Sequence, residues 1–293
     1  MTESGWIFVE RKKMSTTRLK KMKADGIPIT MITAYDYPSA KLADEAGVEV
    51  ILVGDSLGNA VLGYESTLPV TLEDMIYHTK AVTRAVSSAF VVTDMPFMTY
   101  HGSADETLRN VGRVMREGLA KAVKMEGGTE IAHSIEACVK AGVPVVGHIG
   151  LTPQSVYQIG GYKVHGKTSA QAKKLLDDAK AIEQAGAFMI VLELVTDELA
   201  AQITKELSIP TIGIGSGPNC DGQVLVFHDL LQYASPYMPK KFVKTYANIG
   251  EHIRNGITQY VKDVKERTFP AEEHTFKAEA ELASALYGSK TDA

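Results

Sequence analysis

Short apolar runs alternate with helical patterns along most of this chain, and this alternation limits its fold more than any other feature of the sequence. The runs are rich in Val and Ile and are bounded by Gly or Pro, which is typical of strands buried on both faces of a parallel sheet. They lie at residues 28–34, 48–53, 89–96, 119–128, 144–150, 187–195, 209–214 and 224–228. About eight strands that alternate with helices predict an α/β fold, a single-domain (β/α)8 TIM barrel.

The barrel is expected to occupy most of the chain. We predict a charged N-terminal lead-in with a short helix over residues 1–27, a catalytic barrel over 28–268 and a C-terminal tail over 269–293. Barrels of this kind take about 250 residues as one unit. The competing fold is a doubly wound open sheet. It is less favoured because polar strand ends are spread along the chain, whereas an open sheet gathers its site near one switch point.

Acidic residues stand at the carboxyl ends of three predicted strands. Asp55 follows EVILVG, Asp94 follows AFVVT, and Glu126 follows LAKAVKM. A barrel places these strand ends at one mouth, where ligands bind, so we expect the carboxylates to converge. Carboxylates without a His or Cys pair at zinc spacing suit Mg²⁺. The alternative is that each acid caps the following helix or pairs with a basic group.

Other polar residues near strand ends have two interpretations each. Lys124 shares a strand face with Glu126, because side chains two residues apart point to the same side. It is either a cation beside the metal ligands or half of an ordinary Lys–Glu pair. Glu193 and His148 are either functional groups or satisfied hydrogen-bonding groups. The loop QIGGYKVHGK at residues 158–167 is either a lid or a flexible surface segment.

The composition argues against nucleic-acid and membrane partners. The formal net charge is -4 and residues of both signs are interspersed, so the sequence has no cluster of basic residues that would bind nucleic acid. No segment approaches the roughly 18 uncharged apolar residues of a membrane span. We expect Cys138 and Cys220 to be free thiols and, because the first residues lack a signal pattern, the protein to be cytoplasmic.

A series of motifs occurs in a fixed order over residues 14–270. They are TAYDYPSA, VGDSLGN with GYESTLPVT, DMPFMTY, AVKMEGG, GHIGLTPQS, QIGGYKVHGK, and GIGSGPNCDGQVLV with HDLL. In order and spacing they resemble the ketopantoate hydroxymethyltransferase family. The resemblance implies a metal-dependent barrel that transfers a hydroxymethyl unit from the co-substrate 5,10-methylenetetrahydrofolate to 3-methyl-2-oxobutanoate. The product would be 2-dehydropantoate, for pantothenate and coenzyme A, and the expected assembly is a homo-oligomer, a decamer of two pentameric rings.

The same resemblance implies roles for individual residues. Asp55 and Asp94 correspond to Mg²⁺ ligands, and Glu126 corresponds to a third ligand, directly or through water. The residues that would contact the keto acid are Asp55, Ser56, Asp94 and Lys124. Glu193 corresponds to the proton acceptor, and the next residue, Leu194, departs from the Cys that is usual in the family. The implied mechanism is removal of the C3 proton to form an enolate that Mg²⁺ stabilises.

Two other functions are compatible with part of the sequence. A carbon–carbon lyase of the phosphoenolpyruvate mutase and isocitrate lyase type would also form an enolate at a Mg²⁺ site, but without folate. The sequence shows no reactive cysteine loop of that kind, and deuterium exchange at C3 of 3-methyl-2-oxobutanoate separates the two enzymes. A barrel that has lost catalysis and serves as a binding or assembly module is the third interpretation. The presence of every strand-end acid argues against this third interpretation. A turnover assay distinguishes it from the two enzymes.

Overall fold

Eight parallel strands form a closed barrel at the centre of the computed structural model, which describes residues 11–233, 240–279 and 282. The strands are β1 (Ile29–Thr33), β2 (Val50–Val53), β3 (Phe90–Asp94), β4 (Ala122–Glu126), β5 (Val145–Gly150), β6 (Met189–Glu193), β7 (Thr211–Ile214) and β8 (Gly222–Leu225). Each strand pairs with its neighbours in chain order, and β8 pairs with β1 to close the barrel. The TIM barrel predicted from the sequence is confirmed.

Helices connect the strands and cover the outside of the barrel. The α-helices of the described residues are α1 (Thr16–Ala24), α2 (Tyr37–Glu45), α3 (Leu57–Ala60), α4 (Leu72–Ala85), α5 (Ala104–Glu117), α6 (Ala132–Lys140), α7 (Val156–Ile159), α8 (Ser169–Gln184), α9 (Asp197–Glu206), α10 (Phe227–Leu231) and α11 (Ile249–Lys265). Short 3₁₀ turns span Thr129–Ile131, Pro153–Ser155 and Glu272–His274. Polar caps fix the helix starts: the Thr71 hydroxyl accepts the Asp74 N–H, and the Asp74 carboxylate accepts the Thr71 N–H.

The strands are buried on both faces, as expected for a parallel sheet inside a layer of helices. A cluster with members from all eight strands fills the bore, and Leu19 of α1 joins it from the amino-terminal end. In β4, Ala122 belongs to this inner cluster, whereas Val123 and Met125 pack outward against helices. The alternation predicted for this strand is therefore confirmed. It directs Lys124, two residues beyond Ala122, into the mouth of the barrel.

The end of the barrel differs from the sequence prediction. The pattern predicts a strand over 224–228, but β8 runs from Gly222 to Leu225 and α10 begins at Phe227. Gly222 allows the earlier start because it lies against the carbonyl oxygen of Ile29, where a Cβ atom would clash. The Phe227 N–H donates to a threonine hydroxyl of β1 at 3.0 Å, so the chain leaves the sheet there.

The division of the chain into lead-in, barrel and tail stays a prediction. Residues 1–10 of the lead-in, and residues 280–281 and 283–293 of the tail, lie outside the described residues. Cys138 and Cys220 are free thiols, as predicted. Across the part of the chain that the structure describes, no helix combines the length and the apolar character that crossing a membrane requires.

Candidate active site

Adjacent strands bring the three predicted acids together inside the mouth of the barrel. Asp94 ends β3, Glu126 ends β4, and Asp55 lies two residues beyond β2. Their exposed fractions are only 4% for Asp55, 3% for Asp94 and 5% for Glu126. The backbone N–H of Asp55 donates to Oδ2 of Asp94 at 3.1 Å. The convergence expected from the strand-end positions is therefore present.

Lys124 is a buried cation within this group of acids. Its Nζ atom lies 3.0 Å from Oδ1 of Asp94 and 4.0 Å from Oε1 of Glu126. Burial lowers the pKa of Lys124, but the surrounding carboxylates outweigh burial and raise it, so the ammonium group stays charged. Lys124 is closer to Asp94 than to Glu126, which argues against the simple Lys–Glu pair within one strand.

The acids shift one another's pKa values. Burial raises the pKa of Asp55 well above its ordinary value, and the charges of Glu126 and Asp94 add to the effect. Burial also raises the pKa of Asp94, although Lys124 opposes it. For Glu126, burial acts upward, but His148 and Lys124 outweigh it and lower the pKa. Three buried carboxylates around one ammonium group form a region where an additional cation is favoured.

His148 and Glu193 form the adjacent part of the site. His148 lies in β5 and Glu193 ends β6, and His148 Nε2 is 3.3 Å from Oε2 of Glu193. Burial and Lys124 lower the pKa of His148, but Glu126 and Glu193 outweigh them and raise it to about 9. The Glu193 side chain is 17% exposed, so it reaches the open space of the mouth.

Two residues that hold the acids were not predicted from the sequence. Gln154 donates through Nε2 to Oδ2 of Asp55 at 2.8 Å, and its backbone N–H donates to Oε2 of Glu126 at 3.1 Å. The Tyr100 hydroxyl donates to Oε1 of Gln154 at 2.7 Å. Tyr100 lies in a loop and Gln154 in the 3₁₀ turn after β5, where strand periodicity gives no signal. Their positions within GHIGLTPQS and DMPFMTY were the only indication in the sequence.

Ser56 lines the cavity after β2, and the buried Tyr35 supports it from behind. The Ser56 hydroxyl lies 2.8 Å from the Tyr35 hydroxyl, and either group can donate. Ser56 is half-buried and directly follows Asp55, which places it beside the acids. Tyr35 was not among the predicted residues, and its ring packs 5.6 Å from that of His228.

A cavity of about 590 Å³ connects these groups. Its polar wall contains all the predicted site residues, namely Asp55, Ser56, Asp94, Lys124, Glu126 and Glu193. Leu52, Val191 and Ile214 supply part of the apolar wall. The volume is sufficient for a small acid together with part of a second molecule.

The loop at residues 158–167 is attached beside Glu193. The His165 N–H donates to the carbonyl oxygen of Leu194 at 2.7 Å, and the Thr196 N–H donates to the carbonyl oxygen of His165 at 3.0 Å. Tyr162, near the centre of the loop, lines the cavity. The loop therefore forms part of the wall on the β6 side.

Comparison with known sequences gives one consistent family. Residues 13–272 match the model of the ketopantoate hydroxymethyltransferase family. A 3-methyl-2-oxobutanoate hydroxymethyltransferase of Thermoanaerobacter sp. (strain X514) is 58% identical over 268 residues, covering 92% of this chain and 97% of the relative. The protein of the same name from Geobacillus kaustophilus (strain HTA426) is 60% identical over 269 residues, covering 92% and 96%.

Solved structures with low sequence identity share the fold. Phosphoenolpyruvate phosphomutase from Streptomyces platensis subsp. rosaceus superposes with a TM-score of 0.58 at 17% identity, covering 94% of this chain and 95% of that chain. Phosphonopyruvate hydrolase in complex with oxalate and Mg²⁺ superposes with a TM-score of 0.55 at 15% identity, again covering 94% and 95%. At these identities the likeness supports the barrel fold and nothing finer.

Proposed function

Since this chain belongs to the ketopantoate hydroxymethyltransferase family and is an enzyme that transfers a hydroxymethyl group to 3-methyl-2-oxobutanoate, we propose that its donor is 5,10-methylenetetrahydrofolate and that it uses Mg²⁺. The product is then 2-dehydropantoate, a precursor of pantothenate and coenzyme A. The observation that carries the proposal is the meeting of three buried carboxylates, Lys124 and the His148–Glu193 pair in one cavity. The cytoplasmic location expected from the sequence stays a prediction.

The donor set of the cavity fits Mg²⁺. Among the described residues, no three His, Cys, Asp or Glu side chains are placed to bind one ion jointly. Mg²⁺ does not need such a set, because it takes one or two carboxylates and completes its shell with substrate oxygens and water. Asp55 and Asp94 would bind it directly, and Glu126 would contribute directly or through water. The raised pKa of Asp55, caused by burial and by the neighbouring acids, supports a site that gains from a bound cation.

The keto acid would lie between the metal-binding acids and Glu193. When bound, Mg²⁺ would supply a Lewis acid that stabilises negative charge on the keto oxygen. Lys124 would offset the charge of the substrate's carboxylate or of its enolate, and the Ser56 hydroxyl would donate a hydrogen bond to the same molecule. The Asp94 carboxylate would keep Lys124 in place through their 3.0 Å contact.

Glu193 would act as the general base. It is the least buried acid of the group, and His148 lies 3.3 Å from it. The C3 proton of the keto acid would pass to its carboxylate. Water would add to the methylene carbon as its first C–N bond breaks, and C3 would bond to the same carbon as its second C–N bond breaks. The two folate nitrogens would take up one proton from water and the C3 proton from Glu193, and tetrahydrofolate would leave. The contact with His148 would hold the Glu193 carboxylate in the position that a base requires.

A homo-oligomeric assembly belongs to the same proposal. Helix α11 has no buried residue, and its apolar side chains Ile253, Ile257, Tyr260, Val261 and Val264 are between 40% and 58% exposed. An exposed apolar helix face of this kind is typical of an interface. The predicted decamer of two pentameric rings is tested by sedimentation equilibrium, which should give about ten times the 31.7 kDa mass of one chain.

The proposed reaction is tested by product analysis. Purified protein, 3-methyl-2-oxobutanoate, 5,10-methylenetetrahydrofolate and Mg²⁺ should yield 2-dehydropantoate and tetrahydrofolate in equal amounts. Removing the folate or adding EDTA should abolish the product. A yield that is independent of both would contradict the proposed donor and metal.

A further inference from the structure

The second substrate reacts at the carbon that Glu193 deprotonates. In the proposed reaction, this carboxylate takes the proton from C3, and the same carbon then bonds to the methylene group of the donor. A donor that adds to the face from which the proton left would occupy the part of the cavity nearest the end of β6. The next strand around the barrel is β7, which is followed by Gly215.

Phe242 lies at this part of the mouth. Gly215 has a φ of +66°, and a Cβ atom on it would be 2.7 Å from Cδ2 of Leu194 and 3.0 Å from Cγ of Phe242. Leu194 directly follows Glu193, so the Phe242 ring and the side chain next to the proposed base both lie against Gly215. The ring is half-buried and lines the cavity. Such a ring offers an apolar face on which a flat conjugated ring can stack.

Two exposed lysines stand beside this ring. Lys240 and Lys241 line the cavity, and, apart from the buried Lys124, no other Lys or Arg of residues 11–233, 240–279 and 282 does so. The Nζ atom of Lys240 lies 5.9 Å from the centre of the Phe242 ring and 3.7 Å from the Asp229 carboxylate. Lys241 forms no ion pair with any described residue. Both ammonium groups are exposed at the mouth and available to an anionic ligand.

We propose that Phe242 stacks on the aminobenzoyl ring of the folate donor and that Lys240 and Lys241 bind the carboxylates of its glutamate tail. This inference rests on the folate donor of the proposed function and assigns its subsite. From the reacting group outward, folate presents a methylene carbon, an aminobenzoyl ring and two carboxylates. The wall presents Glu193, then Phe242 with Lys240 over its ring, and Lys241 lines the same cavity. The Asp229 carboxylate competes with the glutamate tail for Lys240, so Lys241 contributes more to the affinity for the tail.

The test compares tetrahydrofolate with 6-methyltetrahydropterin, which lacks the aminobenzoyl ring and the glutamate. Affinities are measured by titration calorimetry with 3-methyl-2-oxobutanoate and Mg²⁺ present. In the K240Q/K241Q variant, tetrahydrofolate should bind about five- to tenfold more weakly than to the unaltered protein, because two charge contacts are lost. Affinity for 6-methyltetrahydropterin should change by less than about twofold, since it carries no carboxylate.

Lys244→Gln is the matched control. Lys244 packs over Tyr246, with 4.9 Å from Nζ to the ring centre, and does not line the cavity. This variant should bind both pterins as the unaltered protein does. Unchanged tetrahydrofolate affinity in K240Q/K241Q would overturn the subsite while leaving the folate donor intact. An unaltered protein that fails to bind tetrahydrofolate would overturn the donor and the subsite together.

Discussion

One imidazole ring joins the buried acids to the proposed base: His148 lies 3.4 Å from Glu126 through Nδ1 and 3.3 Å from Glu193 through Nε2. The ring also lies 3.1 Å from the ammonium group of Lys124. Glu126 and Glu193 raise the pKa of His148 to about 9, against the opposing effects of burial and Lys124. The ring lies between the two carboxylates and positions Glu193.

Replacing His148 should reduce catalysis more than binding. In His148→Gln the contact of the ring with Glu193 is lost and the base is no longer held, so kcat should fall about 10- to 100-fold. The KM for the keto acid should change much less. Steady-state kinetics measures both kcat and KM. His133→Gln, a substitution at an exposed position on α6, is the control. A kcat at the unaltered level would show that His148 has no positioning role.

Removing the charge of Asp55 should stabilise the metal-free protein and weaken metal binding. Asp55 is buried beside two other acids, so Asp55→Asn should raise the free energy of unfolding in EDTA by on the order of 1 kcal/mol. The amide can still accept the hydrogen bond from Gln154. Mg²⁺ affinity should fall more than about tenfold. Urea unfolding and metal titration test both effects, with the exposed Asp25→Asn as control. An unchanged Mg²⁺ requirement would exclude Asp55 as a ligand.

Lys124 should couple energetically to Asp94. Lys124→Gln leaves buried acids without their cation, so unfolding free energy should fall by about 3–5 kcal/mol and the KM for the keto acid should rise. Adding Asp94→Asn removes one of the uncompensated charges and should restore part of the loss. Urea unfolding of the two single variants and the double variant gives the coupling energy. If the stability changes of the two single variants simply add up in the double variant, the contact between Lys124 and Asp94 is not the source of the stability.

Asp44 provides a pH-dependent contribution to stability away from the cavity. Its carboxylate accepts the backbone N–H groups of Ser87, Ser88 and Ala89 at 2.7–3.2 Å. Burial acts to raise the pKa of Asp44, but these donors outweigh it and lower the pKa from its ordinary value. Asp44→Asn should therefore cost about 2 kcal/mol at neutral pH.

The sign of the pH effect follows from the lowered pKa of Asp44. The contribution is fully present above the pKa of the unfolded chain and disappears as the pH falls through the lower pKa of the folded state. The difference between unaltered protein and variant should be constant from about pH 8 to pH 5 and shrink below about pH 4. The exposed Asp105→Asn serves as control. A difference that grows on acidification would refute the assignment.

The barrel was predictable because its strands are short, apolar and separated by helical patterns, and each of these properties is local to the sequence. The convergence of Asp55, Asp94 and Glu126 followed from one further rule, that parallel strands present their carboxyl ends on one side. The end of β8 was misplaced, because Phe227 leaves the sheet through a hydrogen bond to a residue 194 positions away. The periodicity of the sequence carries no information about such long-range contacts.

The supporting part of the site was not predictable in the same way. Gln154 lies in a 3₁₀ turn and Tyr100 in a loop, and their hydrogen bonds to the acids depend on how two connections meet above the barrel. His148 was recognised at a strand end, but one residue on one strand does not show that the next strand supplies Glu193 as its neighbour. The role of Glu193 as base came from the family resemblance, and the structure adds its contact with His148.

The central claim is that Glu193 removes the C3 proton of 3-methyl-2-oxobutanoate. It is tested most directly by following deuterium exchange at C3 by NMR in Glu193→Gln, with Glu198→Gln on the exposed surface of α9 as control. We expect the Glu193 variant to bind the keto acid and Mg²⁺ but to exchange about 10²- to 10⁴-fold more slowly than the unaltered protein. Exchange at the unaltered rate would contradict the account.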